Sequence, residues 1–389
     1  MIKKILFISS SINNKLMKSG ITGGEVRLAK IMKGFLKKGW EVHFLTNGGG
    51  ETFCNYFGLK GVINHNIGFK EGNSRFWVLA LTFYLVLKPI KIENFEGVIY
   101  SANELLFDVI PAIRIKLNNK KNKWVAVAHW MPPLKFWQRK KSTFLNSLLF
   151  MISERLSVFL IKYFADRVLA VSESTKRQLI EAGVKRNKVI AVDCGVDLKN
   201  IVKVISKIKN KKYDAVFMKR IQAVKGVFDL IEIWEKVVKY KPEAKLAIIG
   251  GGADNKEVLS LIKEKKLEKN IIFFGPIFDF EKKFKILASS KIFILPSYEE
   301  NWAIVIGEAL ASKVPVICYD LKELREVWKD SVIYTPLGDT GKMAKKILEL
   351  LHNSLKRKFL SKKGFEFVKR YEWNKIAKNE VKIINQLNI

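Results

Sequence analysis

Short runs of uninterrupted apolar residues alternate along the chain with longer stretches whose apolar positions recur every three or four residues. KKILFIS opens as a strand, Glu25–Lys38 (EVRLAKIMKGFLKK) follows as an amphipathic helix, and Gly39 turns the chain into the strand EVHFLT. GVIYS (97–101), WVAVAH (124–129), RVLAVS (167–172) and KVIAVD (188–193) continue the series. The alternation then restarts with AVFMK (215–219), KLAIIG (245–250), NIIFFG (270–275), KIFILP (291–296) and VPVICY (314–319). Strands apolar throughout and separated by helices predict parallel sheets covered on both faces.

Two successive sets of strands predict two Rossmann-like, doubly wound α/β domains, 1–200 and 201–370, with the boundary in the Lys-rich stretch 197–212. The segment YEWNKIAKNEVKIINQL, within 371–389, reads as a helix with no strand after it. It has no place in the second sheet and is free to pack elsewhere, including back on the first domain. Open α/β sheets bind ligands at the carboxyl ends of their strands, so residues just after a strand are the candidates for function.

Charge narrows the choice of partner. The formal net charge is +33, and both parts are basic: residues 1–200 hold 32 Lys and Arg against 14 Asp and Glu. Such a field favours nucleotides, nucleic acid or an anionic membrane surface, although solubility or a Lys-rich compositional bias also raises the count. Three scattered cysteines without a CxxC pair argue against a disulfide framework or structural zinc and for a reducing compartment. The apolar run in MIKKILFISSS is too short for a signal peptide. Residues 76–87 are too few to span a bilayer, and Glu154 and Arg155 interrupt 144–164, so neither segment reads as transmembrane.

Four loops after strands carry chemistry. Gly23-Gly24 precede the first helix, where glycines admit a ligand to the backbone and free N–H groups attract anions; an ordinary helix start fits equally. Lys219 ends AVFMK and Arg220 follows it, and Lys225-Gly226 open the next helix. Arg220 and Lys225 there suit a phosphate clamp, and Lys225 at a helix start calls for a counter-anion. Gly250-Gly251-Gly252 in KLAIIGGGAD again bring backbone close to something flat or anionic. In SYEENWAIVIGEAL, Glu300 falls in a loop and Glu308 two turns into a helix starting near Trp302 or Ala303. Flanking a helix start, the two acids suit hydroxyls at either end of a ligand with a diphosphate between; a capping acid plus a surface acid is the plainer alternative.

These motifs, in order, resemble the retaining glycosyltransferases of family four, with the GT-B fold of two Rossmann-like domains facing a central cleft. The resemblance rests on Glu300 and Glu308 with seven residues between, the following A-L-A and VPVI, Arg220 and Lys225 ahead of Gly226, IIGGG, FFGPI, LPSYEE and YEWNKIAK. It implies a nucleotide-diphosphate sugar as donor substrate, with Arg220, Lys225, Gly23 and Gly24 at its diphosphate and Glu308 at the ribose. It further implies Glu300 at the donor sugar, backbone amides of Asn301, Trp302, Ala303 and Ile304 beside it, and Gly250, Gly251 and Ile277 at the base. His129, ending WVAVAH, matches a histidine beside donor sugar and acceptor; taken alone it is equally a structural histidine. Cofactors and metal are expected to be none, and no protein nucleophile is assigned. Cys194 stands where the family has asparagine, and Ser312-Lys313 where it has cysteine–glycine, so Lys313 is expected to alter a turn.

Between Asp108 and Glu154 there is no acidic residue, while nine Lys and Arg interleave with Trp124, Trp130, Phe136, Trp137, Phe144 and Phe150. With the apolar stretch after it, this composition fits a helix in an anionic membrane interface. The expectation is a cytoplasmic enzyme on the inner face of the membrane, acting on a lipid-linked or membrane-associated glycan. A soluble acceptor is the rival within the fold. A nucleic-acid-binding protein is the rival outside it, but no nucleic-acid motif is present.

Overall fold

The computed structural model describes residues 3–15, 22–72, 74–88, 90, 92, 95–129 and 144–387. The chain divides into two units: the N-terminal part through Cys194 together with the segment from Trp373, and Gly195–Glu372.

The first unit runs β1 (Lys4–Ile8), α1 (Gly23–Lys37), β2 (Glu41–Thr46), α2 (Gly50–Phe57), β3 (Val62–Asn66), α3 (Arg75–Leu87), β4 (Val98–Ser101), α4 (Leu106–Asn118), β5 (Lys123–Ala128), α5 (Phe144–Phe164), β6 (Arg167–Ala170), α6 (Glu173–Glu181) and β7 (Val189–Ala191). Its parallel sheet has the order β3-β2-β1-β4-β5-β6-β7. Leu6, Ile8, Ile99, Trp124 and Ala126 pack on α3, α4 and α5 through Leu81, Leu85, Val109, Ala112, Val158 and Ile161. On the alternate positions, Phe7 meets Phe35 of α1 and Tyr100, with ring centroids 5.7 and 4.7 Å apart.

The second unit runs α7 (Leu198–Ile205), β8 (Tyr213–Met218), α8 (Val227–Tyr240), β9 (Leu246–Ile249), α9 (Asn255–Glu264), β10 (Ile271–Gly275), α10 (Phe280–Ala288), β11 (Ser290–Leu295), α11 (Ile304–Ala311), β12 (Val316–Tyr319), α12 (Lys322–Trp328), β13 (Ile333–Thr335), α13 (Thr340–His352) and α14 (Ser354–Val368). Its parallel sheet has the order β10-β9-β8-β11-β12-β13. The Lys-rich stretch after residue 197 therefore carries a helix, α7, which packs on α10 and α11.

The last helix, α15 (Trp373–Asn385), lies on α1 in the first unit. The helices cross at small residues: a β-carbon on Gly34 would come 2.6 Å from that of Ala377. Beside the crossing, Arg27 Nη1 donates to the Tyr100 hydroxyl at 2.9 Å, the hydroxyl donates to Glu380 Oε2 at 2.9 Å, and Arg27 Nη2 bonds Glu380 Oε1. Burial opposes the guanidinium charge, but Glu380 and Tyr100 overcome it and hold Arg27 protonated. Cys194 lies buried beside this group, its thiol pushed up to about 12 by burial. An ion pair of this depth adds little by being present but is costly to break on one side.

Trp124 is fully buried, with Nε1 donating to Ser101 Oγ at 3.1 Å, so it belongs to the core and not to a membrane-facing aromatic set. Trp130, Phe136 and Trp137 lie outside the described residues, as do the side chains of Phe144 and Phe150. Among the described residues no helix is long and apolar enough to cross a membrane.

Candidate active site

β8 and β11 are adjacent and parallel, so the loops after them share one edge of the second sheet. That adjacency brings Lys219 to Glu300, with Nζ 2.9 Å from Oε2. Lys225 approaches the other oxygen, Nζ 3.1 Å from Oε1, and donates to the Glu299 carbonyl at 2.6 Å. Ser297 Oγ donates to Oε1 at 2.9 Å. Burial opposes ionisation of Glu300, but the two lysines outweigh it and hold the carboxyl at about 2. The counter-anion that Lys225 requires is thus Glu300. Burial lowers the Lys225 ammonium, and Glu300 counters that effect.

The surrounding loops are braced. Gly226 has φ 71°, and a β-carbon there would lie 1.7 Å from the Pro296 carbonyl oxygen, so only glycine lets the turn press against the end of β11. Tyr298 and Tyr319 both donate to Asp229 Oδ2, at 2.6 and 2.7 Å, which ties the loop to α8. Trp302 is 3 % exposed and packs on Trp328 and Tyr371. Ala303 then takes φ 53°, a left-handed conformation that costs a non-glycine residue about 1–2 kcal/mol.

The second acid is held separately. α11 begins at Ile304, so Glu308 sits one turn into the helix and not two, because the loop with its buried Trp302 extends to Ala303. Glu308 Oε1 lies 3.0 Å from Lys283 Nζ of α10, and that ammonium is 4.5 Å from the Phe284 ring centroid. Glu300 and Glu308 therefore answer to different cations.

The glycines after β9 have a further reason to be glycine. A β-carbon on Gly250 would come 1.9 Å from the Lys219 carbonyl oxygen, and one on Gly252 would come 2.1 Å from that of Ile221. Both let the β9 turn close against the β8 turn of the same unit, so close approach to a ligand is not needed to explain them. Gly251 is different: a β-carbon there would make ordinary contact with Pro276, next to half-buried Ile277.

In the first unit, Gly23 and Gly24 open α1 behind a capping box in which Thr22 Oγ1 accepts from the Glu25 amide and Glu25 accepts from the Thr22 amide. A β-carbon on Gly24 would lie 3.8 Å from His129 Cε1, so the glycine pair and the strand-end histidine are neighbours. His129 Nε2–H donates to the Ala102 carbonyl at 2.9 Å, which fixes the tautomer, and its amide donates to Glu104 Oε2 at 2.8 Å. Burial, reinforced by Arg27, pushes the imidazole down to about 4, so it is neutral at physiological pH.

The structure thus joins Lys225 to Glu300 and places Arg220 exposed on the same turn. Lys219 and Lys283 were not assigned from sequence. Lys219 carried a signal, its position directly after a strand; Lys283, within a helix, carried none. Lys313 keeps the turn after α11 by taking φ 56° itself, the conformation glycine adopts freely, so the substitution preserves the turn at a cost.

Comparison with known proteins agrees with this architecture. The family described as Glycosyltransferase Family 4 matches residues 21–200, and that described as Glycosyl transferases group 1 matches residues 199–367. An uncharacterised glycosyltransferase of Methanocaldococcus jannaschii is 25 % identical over 325 residues, covering 81 % of this chain and 79 % of that protein. The Campylobacter jejuni N-acetylgalactosamine-N,N'-diacetylbacillosaminyl-diphospho-undecaprenol 4-alpha-N-acetylgalactosaminyltransferase is 27 % identical over 225 residues, 57 % of this chain and 60 % of that one. Among solved structures, Anabaena HepE in complex with UDP and glucose superposes with a TM-score of 0.74 at 17 % identity, covering 99 % of this chain and 100 % of that chain.

Proposed function

This chain belongs to the group 1 glycosyl transferases and has their GT-B fold; from that premise we propose that it transfers a sugar from a nucleotide-diphosphate donor with retention of configuration and without a metal. The observation that carries the reading is Glu300, ionised and almost buried between Lys219 and Lys225 at the carboxyl edge of the second sheet. In this reading the carboxylate accepts hydrogen bonds from donor-sugar hydroxyls. Arg220 and Lys225 neutralise the diphosphate as the sugar–phosphate bond breaks. Glu308 takes the ribose hydroxyls, the amides of Asn301–Ile304 face the sugar, and Gly251 and Ile277 line the base. The acceptor oxygen bonds to the sugar carbon on the face the diphosphate leaves, and its proton passes to the departing phosphate oxygen. In the first unit, His129 is neutral and has Gly23 and Gly24 beside it.

The acceptor proposed is a lipid-linked or membrane-associated glycan, reached by a cytoplasmic enzyme on the membrane surface. Support comes from the basic charge and from the Campylobacter relative, whose name specifies a diphospho-undecaprenol compound. A thermal-shift screen over UDP-, GDP- and ADP-sugars tests the donor assignment: one nucleotide series should stabilise the protein, and silence from all three would sink the reading. Glu308→Gln should weaken nucleotide binding, and Glu300→Gln should chiefly lower turnover.

A further inference from the structure

The helices on one side of the first sheet are apolar on the side that faces away from it. α3 buries Leu81 and Leu85, yet exposes Phe76 (84 %), Leu79, Phe83 (69 %), Val86 and Leu87 (68 %). α5 buries Val158 and Ile161 and exposes Ile152, Leu156, Phe159 and Tyr163, each by about half. Steps of three or four residues align each set as one stripe along its helix. A helix of a soluble domain normally turns charged residues outward; here the outward positions are the apolar ones.

The two stripes belong to one surface. α4 packs against both helices and ties down their C-terminal ends. Arg114 Nη1 donates to the Leu85 and Lys88 carbonyls at 2.8 and 2.7 Å, and Lys116 Nζ donates to the Phe164 carbonyl at 2.8 Å. Leu117 of α4 is itself exposed. The exposed apolar area sums to on the order of 1,000 Å², above the few hundred usual for a monomer's largest patch.

Charge selects the partner. The sequences of α3, α4 and α5 contain two carboxylates, Asp108 and Glu154, and both are buried. Lysines stand at the C-terminal ends of the stripes: Lys88 Nζ lies 5.2 Å from the Tyr84 ring centroid and Lys162 Nζ 5.3 Å from that of Tyr163. A second copy of this chain would bring the same lysines and the same net charge of +33, whereas an anionic bilayer brings the opposite sign and an apolar interior.

We infer that α3 and α5 together form a membrane-docking face whose apolar stripes enter the headgroup–acyl boundary of an anionic bilayer, with Lys88 and Lys162 at headgroup level. This deepens the proposal of a membrane-associated acceptor and rests on it for its purpose. It also differs from a purely electrostatic attachment, because apolar insertion resists salt.

Co-flotation of the full chain with phosphatidylglycerol/phosphatidylcholine vesicles tests the inference. The wild type should float, and at least half of the bound fraction should survive roughly 0.5 M NaCl, where surface charges are screened within a few ångströms. Phe83→Asp and Phe159→Asp, both at exposed positions, should each lower the bound fraction about five-fold or more. Phe83→Trp emission should shift to the blue on vesicle addition. Nucleotide-induced thermal shifts should be unchanged in every variant, so failure here and failure of the donor assignment are read separately. The inference is overturned if the Asp variants float like the wild type, if salt removes all binding, or if the wild type stays in the dense phase. A concentration-dependent dimer in sedimentation velocity that Phe83→Asp dissolves would give the face to a second copy instead.

Discussion

Replacing Glu300 by glutamine removes one charge from a site where three side chains are fitted to it. Lys219 bonds one oxygen, Lys225 and Ser297 the other, and the acid is 9 % exposed. A carboxyl held at about 2 when folded, against 4.5 as the reference value, is worth about 3 kcal/mol of stability at neutral pH. Because the folded value is depressed, that stability is fully present above pH 4.5 and is lost as pH falls toward 2. For a unit of this size each kcal/mol moves Tm by about 2–4 °C, so Glu300→Gln should lower Tm by roughly 6–12 °C at pH 7. Urea denaturation followed by the fluorescence of Trp234, Trp302 and Trp328 at pH 7, 5, 4 and 3 checks the sign. Wild type and variant should differ by about 3 kcal/mol at pH 7 and 5 and converge below pH 4.5. A difference of the same size at every pH would refute the argument, since it would then reflect shape and not charge. A difference below about 1 kcal/mol at pH 7 would show that the two lysines lose nothing when the carboxylate is gone.

Glu380→Leu should cost about 3–5 kcal/mol by leaving Arg27 charged and unpaired in the core, and Arg27→Met/Glu380→Leu should recover most of the loss; a double-mutant cycle by chemical denaturation measures it. Gly226→Ala should cost at least about 2 kcal/mol in the same assay, because its β-carbon meets the Pro296 carbonyl at 1.7 Å and its backbone is left-handed. NMR titration of His129 should give a midpoint near 4 and not near 6.5. With the folded value depressed, its contribution is present above pH 6.5 and is lost as pH falls through about 4. A midpoint above 6 would remove the neutral imidazole from the site.

The strands were legible wherever both faces are buried, since a run such as ILFI or FIL leaves no other reading. β3 and β13 were missed for one reason: both are sheet edges. VINHN has only Val62 and Ile63 as apolar residues and is partly exposed, and IYT spans three residues. His129 is raised only by the family resemblance, whereas the rule that function follows a strand's carboxyl end singles out Arg220 and Glu300 as candidates. It did not reveal that Lys219 and Lys225 both close on Glu300, because Lys219 lies 81 residues away and only the adjacency of β8 and β11 joins them. For the glycines after β9, sequence shows that space is needed but not what fills it; for Gly250 and Gly252 a neighbouring turn fills it in place of a ligand. Nothing in the sequence marks Arg27 as half of a buried ion pair, since its partner is 353 residues away.

That separation has a consequence for how the protein is made. The first unit is assembled from segments on either side of the second, and the carboxylate that neutralises its buried arginine is synthesised only after the whole second unit. Until then the N-terminal sheet must wait with α1 uncovered and Arg27 unpaired, while the second unit, whose chain is continuous, is free to fold. A chain cut short before Trp373 would therefore lack a completed first unit even with every strand of both sheets already synthesised. Synthesis of the segment from Trp373, and not emergence of the N-terminal sheet, sets the moment at which this half becomes native.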